Sequence, residues 1–60
     1  MEKETILKYV NKTVKVQLRN GFAYTLTIKE VGDTDFKAID KFGTAVCILN
    51  SEVLVIEGGD

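Results

Sequence analysis

The chain has 60 residues, 45% hydrophobic and 28% charged, with eight Lys and Arg against nine Asp and Glu for a net charge of -1. This composition excludes a disordered polar chain, and the near-neutral balance excludes the uniformly basic surface by which general nucleic-acid binders attract phosphate. A single cysteine, Cys47, and no histidine exclude an internal disulfide and leave a tetrahedral zinc site only to carboxylates or to several subunits together.

A domain of this size buries only about 60% of the surface its unfolded chain exposes, so its core is marginal. With disulfide and metal staples removed, association between copies is the expected supplement. Met1-Glu2-Lys3-Glu4 is mixed in charge and leads into only a brief apolar stretch. Neither a secretory signal nor a membrane-spanning helix is expected there, and a reducing, cytoplasmic compartment is the default.

Proline is absent and nothing marks a linker, so residues 1–60 read as one domain. Over residues 4–11, Ile6, Leu7 and Val10 share one helical stripe, which predicts a short N-terminal helix. Two turns are too short to persist alone, so this helix has to lie on something apolar. From Thr13 the period becomes two: Val14, Val16 and Leu18 alternate with Lys15, Gln17 and Arg19, predicting a strand over 13–19 with one wet face. Phe22, Tyr24, Leu26 and Ile28 alternate with polar or small residues in a second strand over 22–31.

Parity refines the turn between them. A two-residue Asn20-Gly21 turn would pair Arg19 with Phe22 and set the polar face of one strand against the apolar face of the other. A three-residue loop, Arg19-Asn20-Gly21, pairs Leu18 with Phe22, Val16 with Tyr24 and Val14 with Leu26, with Gly21 left-handed in a G1 bulge. Gly32-Asp33-Thr34-Asp35 then reads as a turn, 36–40 as a short strand, and Asp40-Lys41-Phe42-Gly43 as another turn. The nearly continuous apolar run over 44–49 predicts a strand covered on both faces, and Val53 to Ile56 a last strand, over 53–56. Helix plus five closely connected strands describes a mostly β, strongly bent antiparallel barrel. Its two most apolar strands come last and need a neighbouring subunit, with Val46, Ile48, Val53 and Val55 as the expected interface.

The pattern Val14-Lys15-Val16-Gln17-Leu18, Asn20-Gly21, Tyr24 and Ile28 resembles the first motif of the Sm-like family, which takes in the Sm, LSm and Hfq-like proteins. Ile48, Val53 and Ile56 keep the spacing of its second motif. The resemblance implies a five-stranded SH3-like barrel with a short N-terminal α-helix, assembled into a homo-oligomeric ring, hexamer or heptamer, that binds single-stranded RNA. The family's base-gripping Asp and Asn fall on Gly32 and Phe36 here, and its Arg-Gly pair on Leu49-Asn50. A second class of function follows from those departures: an oligomeric protein-interaction scaffold without the uridine pocket.

Within the RNA reading, Phe36 stacks on a base, Lys37 beside it meets phosphate and Asn50 bonds a base edge, with Asp35, Leu49 and Ser51 completing the loops. Against it stands the plainer reading that Phe36 starts the core face of its strand. Lys3, Lys8 and Lys12 form either a basic rim or a solvated helix face offset by Glu2 and Glu4. Tyr24 and Cys47 read as core residues from their apolar neighbours. With no His to activate Cys47, no phosphate loop and no spaced metal ligands, neither enzymatic activity nor a cofactor is expected.

Overall fold

The computed structural model describes residues 1–58. Its elements are α1 (Lys3–Leu7), β1 (Thr13–Leu18), β2 (Ala23–Val31), β3 (Asp35–Asp40), β4 (Ala45–Leu49), a 3-10 turn η1 (Asn50–Glu52) and β5 (Val53–Gly58). The helix is shorter than the predicted 4–11. Tyr9 and Val10 are weak helix formers, and Asn11 turns left-handed at φ 66° to donate its N–H to the carbonyl of Ile28 at 2.6 Å. Ile6 alone of the predicted stripe is fully buried; Val10 is half-buried and Leu7 exposed.

The five strands form one antiparallel sheet in the order β4-β3-β2-β1-β5. The β1–β2 register is the one parity predicts, with Val14 opposite Leu26, Val16 opposite Tyr24, and the Leu18 N–H on the Phe22 carbonyl. Gly21 takes φ +90° and has open space where a Cβ would sit, so its requirement is purely conformational.

One face carries the core: Ile6, Val14, Val16, Leu18, Leu26, Ile28, Phe36, Ala38 and Val53, with Val31, Val46, Ile48 and Ile56 packed against it. Two irregularities bend the sheet. Opposite β3 the register skips Lys29 of β2, and opposite β1 it skips Leu54 of β5. Each extra residue kinks its strand and raises the local twist.

A flat sheet of five strands would hold its edge strands about 19 Å apart, four spacings of about 4.8 Å. Only η1 separates β4 from β5, and four Cα steps of about 3.6 Å reach at most about 14 Å even when extended. The link is a 3-10 turn, so it reaches less still. The sheet therefore has to curl, and the principal extents of 24 × 23 × 19 Å are nearly equal. The ladder nonetheless stays open: among the described residues β4 and β5 are the two edges, with no bond between them.

The strand predicted to be covered on both faces is an edge instead. In β4, Val46 and Ile48 are half-buried while Ala45, Cys47 and Leu49 are exposed. An apolar run signals burial, but among the described residues β4 pairs only with β3 and turns only Val46 and Ile48 toward the core, leaving the alternate residues to solvent.

Candidate functional site

The loops that the sequence points to do meet, but around a structural knot. Asn50 is 5% exposed. Its Nδ2 donates to the carbonyls of Gly32 at 3.0 Å and Asp33 at 3.3 Å, and its backbone N–H to that of Thr34 at 2.9 Å. Two carbonyls thus fix the amide's orientation. Its buried Oδ1 has no partner. The expected bond from Asn50 to a base edge is corrected accordingly, since its donor is used up in joining η1 to the β2–β3 turn.

Phe36 is corrected in the same way. At 1% exposure its ring is among the largest fully buried side chains. It sits opposite Ile48 on the core face of β3 and presents nothing to a base. Asp35, Lys37, Leu49 and Ser51 remain exposed. Lys37 pairs in register with Glu30 on one side and Cys47 on the other, so it leaves β3 on the exposed face away from the core.

Sequence reasoning missed Arg19, whose Nε donates to the Ser51 carbonyl at 2.8 Å and whose N–H donates to that of Glu52 at 2.9 Å. It ends an alternating strand, where parity says that it faces water and nothing in the pattern names a partner. Arg19, Leu49, Asn50 and Ser51 line an open cleft of about 830 Å³ with Glu2, Lys3, Glu4, Asp33 and Thr34. Opposite charges mingle along this cleft.

The three lysines of the expected basic rim have different surroundings. Lys3 Nζ pairs with Asp33 Oδ1 at 2.9 Å, and Lys8 caps the helix in solvent. Half-buried Lys12 leads into β1, its carbonyl accepting the Ile28 N–H. The hydrogen bond from Lys3, aided by its charge, lowers the Asp33 carboxyl below the ordinary carboxylate value.

The expected interface residues also divide. The bulge at Leu54 resets parity, so that Val53 pairs inward with Leu18 at 3% exposure while Val55 pairs outward with Gln17. Val53 belongs to the chain's own core and is not available to a neighbour. The apolar side chains that the two edges expose are Ala45, Cys47 and Leu49 on β4, and Leu54 and Val55 on β5.

Tyr24 is exposed, contrary to the core position expected of it, and its ring lies 6.4 Å from that of exposed Phe22. Both aromatics stand beside core residues of β1, Tyr24 opposite Val16 and Phe22 against Leu18, but both rings stay exposed. The space before Tyr24 is a groove of about 420 Å³ between the β1–β2 tip and β4, lined by Leu18, Asn20, Tyr24, Val46, Cys47, Ile48, Leu49 and Glu52. It is the gap that the open sheet leaves.

Among the described residues no group of three His, Cys, Asp or Glu is placed to hold a metal ion, and no helix is long and apolar enough to cross a membrane. Comparison with protein-family models, curated proteins and solved structures finds no match to the chain.

Proposed function

We propose that this chain is a subunit of an Sm-like homo-oligomeric ring, hexameric or heptameric, that gathers single-stranded RNA as an RNA chaperone or ribonucleoprotein scaffold. The observation that carries the reading is the pair of open edges: β4 and β5 end the same curled sheet and both expose apolar side chains. Unpaired edges of this kind template strand addition. Pairing β4 of one copy with β5 of the next satisfies both, joins Ala45, Cys47 and Leu49 to Leu54 and Val55, and repeats around a closed circle. The short helix on a five-stranded antiparallel sheet, with the sequence spacing, supports the same reading.

Within such a ring each subunit offers Lys37, Leu49, Ser51 and Arg19 near the β2–β3 turn and η1. Contacts too weak singly become strong when a strand touches several copies. The test is a salt-titrated binding measurement with uridine-rich and adenine-rich oligonucleotides. Affinity that falls with salt and weakens on Lys37→Ala is the expected result; no affinity at low salt ends the RNA reading.

A second use of the same assembly, as a protein-interaction scaffold, draws on a specific observation. Phe36 is committed to the core and the Asn50 amide to backbone carbonyls, so two of the residues meant to grip a base are occupied. Light scattering tests assembly independently of either use, and a stable monomer across the micromolar range contradicts the ring.

A further inference from the structure

The Asp40-to-Thr44 turn is braced beyond what a hairpin needs. Asp40 Oδ1 accepts the N–H groups of Phe42 and Thr44, each at 2.9 Å. The Gly43 N–H reaches the Asp40 carbonyl at 3.0 Å, the Asp40 N–H reaches the Thr44 carbonyl at 2.9 Å, and Gly43 supplies φ +85°. On this fixed backbone the Phe42 side chain is 81% exposed, the most exposed of the large apolar residues, with Lys41 Nζ 5.3 Å from its ring centroid. A ring held out in water adds nothing to the chain's own core. Its placement on a rigid support suits an anchor.

The groove before Tyr24 has the complementary character. Leu18, Tyr24, Val46 and Ile48 give it apolar walls, and Glu52 is the one charged residue among the described residues that line it. Phe42 is not among the residues that line it, so the ring stands outside its own molecule's groove. We propose that Phe42 of one copy inserts into this groove on a second copy, Lys41 meeting Glu52 as it does so. Ring matches apolar wall and cation matches carboxylate, which is the charge complementarity that fixes register at interfaces. Donor and acceptor are different patches of one surface, so the contact is heterologous and every copy offers both halves. The inference rests on the reading that copies of this chain associate, and adds a side-chain contact beside the backbone pairing of β4 with β5, whose Cys47 and Leu49 also line the groove.

Sedimentation or light scattering over a concentration series tests it, with circular dichroism confirming that the exposed-turn variants fold. Phe42→Ser is expected to raise the half-association concentration by roughly tenfold or more. Lys41→Glu raises it by less, and adding Glu52→Lys to Lys41→Glu recovers most of the loss. Association of Phe42→Ser at the wild-type concentration overturns the inference; if Val55→Lys then dissolves the assembly, edge pairing survives without it. A wild-type chain monomeric at about 1 mM overturns both readings. Groove resonances that move with a uridine-rich oligonucleotide in a monomeric chain overturn the inference in favour of a nucleic-acid occupant.

Discussion

The tip joining β1 to β2, four residues long, and the link joining β4 to β5, three residues long, connect their strands by opposite means. The first is local: Gly21 turns left-handed, the Gly21 N–H bonds the Leu18 carbonyl, and the Asn20 Oδ1 accepts the Phe22 N–H at 3.0 Å. The second is held from afar. Asn50 reaches residues 32 to 34, Arg19 reaches Ser51 and Glu52, and the Met1 amine reaches the carbonyls of Asn50 at 2.7 Å and Val53 at 3.3 Å. A local turn can form early and alone, whereas a link of this kind exists only once the rest of the sheet is in place.

The contrast can be broken from the link side first. Phe36→Ala removes the ring behind Ile48 and the β2–β3 turn, and is expected to cost about 3 to 5 kcal/mol, enough to unfold much of a domain this small in a urea titration. Asn50→Ala leaves the carbonyls of Gly32 and Asp33 without their donor and is expected to cost about 1 to 3 kcal/mol. Hydrogen exchange should then quicken in η1, β4 and the β2–β3 turn together, while the β1–β2 tip stays protected. A uniform rise across the sheet would show that the link is no separate unit.

On the hairpin side Gly21→Ala is expected to cost about 1 to 2 kcal/mol, from strain at φ +90° alone, with association unchanged. The smallest effect belongs to the exposed Lys3–Asp33 pair, which ties α1 to the same turn. Because the folded carboxyl is lowered, its contribution is complete above the unfolded carboxylate range and fades as pH falls below about 4. Asp33→Asn should flatten that part of the pH-stability curve, and added salt should mimic it.

These two regions also mark what the residue pattern could reveal. Val14, Val16 and Leu18 against Tyr24 and Leu26 gave both strands and their register, because period-two alternation and the need to face one core leave a single pairing. Asn20-Gly21 then had only one loop length to satisfy. Nothing similar announced the bulge at Leu54, where a β-branched strand looks regular until its neighbour's geometry turns Val53 inward and Val55 outward. Asn50 looked like a polar loop residue free to bind, since its three backbone partners are about sixteen to eighteen residues away along the chain. Tyr24 and Cys47 carry the hydrophobicity of core residues, yet Cys47 falls opposite Lys37 on the outward parity of β4, and Tyr24, although paired with buried Val16, is left uncovered beside the groove.

The three-residue η1 link has one more consequence. By limiting how far apart the two sheet edges can stand, it sets the angle between β4 and β5, the two strands that edge-to-edge pairing of copies would use. In a closed circle that angle is 360° divided by the number of members. For the ring proposed above, the length of η1 would act as a gauge for stoichiometry: one residue inserted after Ser51 is expected to relax the curl and, where copies pair edge to edge, to change how many complete the circle.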